Sequence, residues 1–246
     1  MKVELITHTP DPEKLIAATA KLCYSSSGIN ELMDDLTEDK IASFVKMLAD
    51  IGHESPFEHA TFTFGIEGVS RSFLAQITRH RIASFMVQSQ RYVVKDNFNY
   101  ITPPEIAAIP EALEVFEQSM ARELEDYNRL TDILYKKHYE TMLSEGKSEK
   151  KSARDAQKKA IEDARFVLPN ACDTKMVVTM NTRSLYNFFE LRCCERAQWE
   201  IREAACEMLR ILSEKFPLIF ASAGPACSRG ACSEGAMTCG KPWKRK

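Results

Sequence analysis

From Ala60 to Ile66 the hydrophobic period of this chain is two. Phe62, Phe64 and Ile66 alternate with Thr61, Thr63 and Gly65, the pattern of a half-buried strand. The flanking segments have a helical period instead. Asp11-Pro12 supplies a capping residue and a proline at the first helical position, after which Leu15, Ile16, Ala18 and Leu22 recur at helical spacing. Thr37 caps a second helix carrying Ile41, Phe44, Val45 and Leu48. Pro104 to Glu145 read as helical, with Ile106, Leu113, Phe116, Met120, Leu124, Leu130, Ile133 and Leu134 as an interrupted apolar face. The charged run Glu145 to Lys151 breaks that pattern and reads as a solvated loop. A helix from Ser152 to Phe166, an extended Lys175 to Met180, and helices from Thr182 and from Ala197 to Phe216 complete the pattern. A few separated strands among many helices point to α+β, with helices around a small, mostly antiparallel sheet, rather than to a doubly wound fold.

The 246 residues are 44% hydrophobic and 28% charged, enough apolar material for a sizeable core. The net charge of -2 and pI near 6.3 give no global positive field for nucleic acid or an acidic membrane surface. Any anion must therefore be caught by local clusters. The segment Met1 to Ile6 lacks the apolar run and small-residue cleavage site of a secretory signal, and no stretch reaches membrane-spanning length. Eight cysteines are mostly scattered, and the adjacent Cys193-Cys194 is a poor start for a disulfide framework, which reads as a reducing cytoplasm.

The densest chemistry lies at Arg79-His80-Arg81, followed after seven intervening residues by Ser89 and then Gln90-Arg91-Tyr92. Guanidinium groups grip phosphate and carboxylate oxygens in a planar fork, so arginines at fixed spacing point to an anionic ligand in a defined pose, and to a nucleotide among such ligands. Ser70 to Arg81 reads as a helix with Phe73, Leu74 and Ile77 as its stripe. Cations in a last helical turn are also favoured simply by the macrodipole. Capping accounts for one or two of them and does not ask for Gln76, one turn earlier on the same face. Spacing alone leaves both readings standing. Neither a Gly-x-Gly-x-x-Gly nor a Walker loop is present, so a dinucleotide would bind without either phosphate loop.

Three further groups carry chemistry. The helix starting near Asn181 buries Leu185, Phe188 and Phe189; Arg192 falls on the same face, and Arg183 and Asn187 share a neighbouring one. The turn His53-Glu54-Ser55-Pro56-Phe57-Glu58-His59 holds two imidazoles and two carboxylates. Pro56 argues against the helix on which zinc-binding histidines stand four apart, which favours a hydrogen-bonded turn or an organic-cofactor contact over a metal. Cys227, Cys232 and Cys239 lie among glycines in the tail, where only the first two have the spacing of a zinc-knuckle pair and a flexible reduced tail is the simpler reading.

Taken in order, these blocks, with Ala164-Arg165-Phe-Val-Leu-Pro169 and Ala197-Gln-Trp-Glu-Ile201, closely resemble the flavin-dependent thymidylate synthases, whose signature is Arg-His-Arg, seven residues, then Ser. The resemblance runs from near the amino terminus to about Phe220. It implies a catalytic domain over 1–220, followed by a Cys/Gly-rich tail over 221–246. It also implies a homotetramer with active sites between subunits.

The activity it implies is methylation of dUMP to dTMP. Methylenetetrahydrofolate supplies the carbon, FAD the hydride, and NADPH reduces the flavin. By the same resemblance Gln76, Arg79, Ser89, Gln90, Arg91, Arg165 and Arg192 surround dUMP. His53, Ser55, Glu58, Arg79, His80, Arg81, Asn181, Arg183 and Asn187 hold the flavin, with His53 near the flavin and folate rings. Arg91 and Arg192 stabilise charge on the pyrimidine, and Ser89 orients it, since no close His-Ser pair is specified to make the serine a nucleophile. No metal is implied. The chain departs from the family pattern at Met86-Val87-Gln88, where many members carry a polar residue, and at Ile77-Thr78, where aromatic residues are common.

Overall fold

The computed structural model describes residues 1–26, 28–34, 36–90 and 99–244. In chain order its elements are β1 (Lys2–His8), α1 (Pro12–Leu22), α2 (Glu38–Ile51), β2 (Thr61–Ser70), α3 (Arg71–Ile77), β3 (Ser84–Val87), α4 (Pro104–Ala107), α5 (Pro110–Ser144), α6 (Glu149–Ala164), β4 (Asp173–Asn181), α7 (Thr182–Arg192), α8 (Trp199–Lys215) and α9 (Pro217–Phe220). The chain divides into two compact units. One comprises Met1–Glu67, Ala75–Met86 and Met176–Lys246, the other Gly68–Leu74 and Val87–Lys175.

The strands form one small antiparallel sheet in the order β1-β2-β4-β3, the α+β arrangement expected from the sequence. In the first unit β2 buries Phe62, Phe64 and Ile66 completely, as its period of two requires. Val3 pairs with Ile66 and Leu5 with Phe64 before a register shift between Leu5 and Thr7. Between β2 and β4 the Thr63 and Thr179 hydroxyls share a 2.9 Å hydrogen bond.

Helices α7, α8 and α9 belong to this unit. The Asn181 side chain accepts the Ser184 N–H at 2.9 Å and so starts α7, while Gln198 Oε1 accepts the Glu200 and Ile201 N–H groups at 3.0 and 3.2 Å and starts α8. Ile201, Ala204, Ala205, Met208, Leu209 and Leu212 form the buried stripe of α8.

The second unit is built on the antiparallel α5–α6 pair. Ala156, Ala160 and Ala164 recur every four residues on α6, all at most 1% exposed, so that face adds almost no bulk between the helices. Met120 and Cys172 are buried with Tyr100, Phe116, Leu124, Leu168 and Ala171 around them. Among the described residues no helix is long and apolar enough to cross a membrane.

Three boundaries differ from the sequence reading. Strand β2 runs through Ser70, and α3 ends at Ile77 instead of reaching Arg81. Beyond it the Arg79 N–H bonds Gln76 O at 3.3 Å and the His80 N–H bonds Ile77 O at 3.1 Å, a three-residue spacing that tightens and ends the helix. The long helix breaks before Pro110, which lacks an N–H and opens α5 at its first turn. Helix α6 starts at Glu149, so the loop shrinks to 145–148, where Gly146 takes the left-handed φ of 79°.

Candidate active site

Because α3 stops early, Arg79, His80 and Arg81 stand on the connection to β3 rather than on a helix. Their cationic character is then not an answer to a helix dipole. They line an open cavity of about 830 Å³ in the first unit, across from the exposed face of α7. That helix turns Leu185, Phe188 and Phe189 inward, so Arg183, Asn187 and Leu191, spaced at one turn, face the cavity. Asn181 and Ser184 contribute from its first turn, Glu190 and Arg192 from its last, and Glu54 and Glu58 from the turn before β2.

The charges sort themselves. Arg183 donates through Nε to Glu54 at 3.1 Å and through a terminal nitrogen to Glu58. Glu190 faces Arg229 at 3.8 Å. Arg79, Arg81 and Arg192 have no carboxylate partner among the described residues. Burial and then the neighbouring Arg79 lower the Arg192 pKa from its usual value. Like charges gathered without a counter-ion are the arrangement that an anion relieves.

Arg192 Nε donates to His80 Nε2 at 3.2 Å, which requires that nitrogen to be unprotonated and puts the ring proton on Nδ1. Burial first, then Arg192 and Arg79, push the His80 pKa down to about 4. The ring also meets Phe188 edge-on at 5.0 Å. Tyr186 donates to the Ile219 carbonyl at 2.7 Å, and burial raises its pKa, so it walls the cavity without supplying a proton at neutral pH.

Eight residues singled out by sequence therefore meet here: Glu58, Arg79, His80, Arg81, Asn181, Arg183, Asn187 and Arg192. His53 and Ser55 lie in the adjoining turn, bonded to each other at 2.9 Å, and Tyr24 reaches the other ring nitrogen of His53 at 3.5 Å. Gln76 offers its backbone carbonyl to Arg79, and its side chain does not line the cavity. Ser89, Gln90 and Arg165 belong to the second unit, where Arg165 donates to the Glu162 carbonyl at 3.0 Å. Arg91 lies outside the described residues. Glu54, Tyr186 and Glu190 were not chosen from the sequence; the signal for Glu54 was its place with Glu58 in one short acidic turn.

Residues 4–218 match the family model described as thymidylate synthase complementing protein. The chain is 50% identical over 246 residues to the flavin-dependent thymidylate synthase of Clostridium tetani, covering 100% of this chain and 96% of that one. It is 46% identical over 243 residues to the protein of that name from Geobacter sulfurreducens, covering 98% and 94%. A third such protein, from Nitratidesulfovibrio vulgaris, is 43% identical over 247 residues, covering 98% and 94%. With a family match that leaves out little besides the tail and relatives alike over nearly their whole length, this chain belongs to the flavin-dependent thymidylate synthases, which are enzymes.

Proposed function

We propose that the protein reductively methylates dUMP to dTMP, with methylenetetrahydrofolate as carbon donor and FAD, reduced by NADPH, as hydride source, releasing tetrahydrofolate. The observation that carries this reading is the set of arginines at the cavity, Arg79, Arg81 and Arg192, which lack a carboxylate partner among the described residues. The donor set fits a flavin dinucleotide. Guanidinium groups suit its phosphates, the amides of Asn181 and Asn187 suit ring and ribose edges, and the exposed side chains of Ile82 and Leu191, 74% and 50% accessible, offer apolar cover. A bound reduced flavin supplies hydride chemistry that no side chain here can perform.

The residues then divide the labour. Glu58, Arg79, His80, Arg81, Asn181, Arg183 and Asn187 hold the cofactor, with His53 and Ser55 beside it. Gln76, Arg79, Ser89, Gln90, Arg91, Arg165 and Arg192 hold dUMP. Carbon-5 of the uracil is nucleophilic only when the ring is polarised, and fixed guanidinium charge from Arg91 and Arg192 favours that polarisation. Neutral His80 accepts from Arg192, orienting this cation without cancelling its charge. Ser89 orients the ring by hydrogen bonding. The reading includes a cytoplasmic homotetramer with sites completed between subunits, catalysis carried by residues 1–220, small-molecule partners only, and no metal.

Purified protein incubated anaerobically with FAD, NADPH, dUMP and methylenetetrahydrofolate should yield dTMP by mass spectrometry, and none after flavin removal. Protein that binds flavin and makes no dTMP would overturn the reading and bring Met86 and Val87 under suspicion first.

A further inference from the structure

The proposed reaction assigns no part to the carboxyl tail, yet this segment is fastened to the end of α7. Ser228 Oγ donates to the Pro225 carbonyl at 2.7 Å, and the N–H groups of Ser228 and Arg229 bond the Pro225 and Ala226 carbonyls at 2.9 and 3.0 Å, closing a tight turn. The Trp243 ring lies over Gly224, which takes a φ of 134° and where a Cβ would stand 3.2 Å from that ring. Just after α7, Arg196 pairs with Glu234 at 2.5 Å. The turn so built presents Arg229. One of its terminal nitrogens donates to the Ser222 and Gly224 carbonyls at 2.6 and 2.9 Å, and the other faces Glu190 at 3.8 Å. All of these residues lie in the first unit.

Glu190 is a carboxylate in two unfavourable places at once. It stands in the last turn of α7, at the negative end of the helix dipole. It also stands on the wall of the cavity that gathers Arg79, Arg81 and Arg192. An unneutralised carboxylate there repels an incoming anion and competes with it for the guanidinium groups. Glu54 and Glu58, which line the same cavity, are both engaged by Arg183 from within it. The cation facing Glu190 comes from outside, since Arg229 does not line the cavity.

We propose that Arg229 is a positioning residue for this cavity: held by the folded tail, it engages and neutralises Glu190, so that Arg79, Arg81 and Arg192 stay available to an anionic ligand. The ligand class is a dinucleotide pyrophosphate, a choice that rests on the flavin reading above. Arginine suits the task because its planar fork has donors enough to grip two carbonyls and still face a carboxylate. The two side chains are 42% and 44% exposed, so the pair adds little to global stability and acts through local charge.

The test compares full-length wild type with Arg229→Ala and Arg229→Gln, each alone and combined with Glu190→Gln. FAD affinity is read by flavin fluorescence at low and high salt, beside thermal melts. Inorganic pyrophosphate is titrated by calorimetry into the same flavin-free proteins, which reads the cavity's charge independently of the flavin ring. Both ligands should bind roughly fivefold more weakly to either Arg229 single variant, the upper worth of an exposed charge pair. Adding Glu190→Gln should restore the affinity, and the gap should close as salt rises, with melting temperatures nearly unmoved. Rescue by removing the opposite charge is an effect that a merely structural tail would not produce. If Arg229→Ala fails to fold, Arg229→Gln, which keeps a donor for the carbonyls, decides in its place.

Wild-type affinity in the Arg229 variants, or double variants as weak as the singles, overturns the proposal. FAD binding that ignores Arg229 upholds the flavin reading and overturns the positioning role. A wild type that takes up no FAD, while pyrophosphate follows the expected order, overturns the flavin reading and upholds Arg229. A wild type that binds neither ligand overturns both.

Discussion

Arg192 holds its guanidinium against His80 by donating Nε–H to Nε2 at 3.2 Å, a cation resting on a ring that must stay neutral to receive it. The ordinary imidazole value is 6.5, and burial, Arg192 and Arg79 lower it to about 4. In an NMR titration of the free protein His80 should therefore remain neutral at pH 5. As pH falls from 6.5 toward 4 the unfolded chain takes up the proton before the folded one. The stability this group contributes is thus complete above 6.5 and is lost on the way down to 4. A His80 midpoint near 6.5 would sink the proposed tautomer.

Removing the cation tests the other side of the contact. Arg192→Ala should abolish dTMP formation and weaken dUMP binding by roughly tenfold or more, the scale of a lost charged hydrogen bond. Arg192→Lys keeps a charge without the planar fork or the Nε donor, so most of the defect should remain. Arg91→Ala should behave like Arg192→Ala. Steady-state kinetics with wild-type-like turnover from either alanine variant would undo the assignment.

Much of this was legible from local chemistry, and the failures have physical causes. Thr37 and Asn181 read as helix starts, and their side chains accept the Lys40 and Ser184 N–H groups at 3.4 and 2.9 Å. Such a signal is complete within four residues. Strand β3 could not be read, because Ser84 to Val87 is a strand only through pairing with β4, far along the chain. The start of α3 had the same origin: Ser70 stays in β2, and the Arg71 N–H is bonded to Cys172 O at 3.1 Å. In the site, Arg79 to Arg81 announced themselves by type and spacing. The pairing of Arg183 with Glu54, 129 residues away, exists only once β2 and β4 have met.

Glu58 and Arg183 are each about half exposed, so their ion pair should add little to global stability. Its effect is local, because Glu58 fixes one arm of a guanidinium at the cavity. Glu58→Gln should leave the melting temperature essentially unmoved while FAD dissociates several-fold faster, as followed by flavin fluorescence. A large drop in melting temperature with unchanged FAD release would make the pair structural instead.

In the tail, Cys227 Sγ accepts the Trp243 N–H and Cys239 Sγ the Lys241 N–H, both at 3.4 Å. These are weak contacts that a hydroxyl can replace. Replacing Cys227, Cys232 and Cys239 together by serine should leave turnover under reducing conditions nearly intact. Stoichiometric metal in the wild type, lost with activity in the triple variant, would assign the tail a metal role.

The α5–α6 pair offers a control remote in sequence from the cavity residues. Ala160 is completely buried in the alanine stripe of α6. Ala160→Leu adds three carbons there, and overpacking of this kind costs about 1–3 kcal/mol. Denaturant titration should show a lower midpoint with an unchanged slope, since the surface exposed on unfolding is nearly the same. Because Ala160 belongs to the second unit and the cavity to the first, FAD affinity of the folded variant should match that of the wild type. A midpoint equal to wild type would mean that the helices part freely at this level, and the alanines would then owe their positions to helix propensity rather than to close packing.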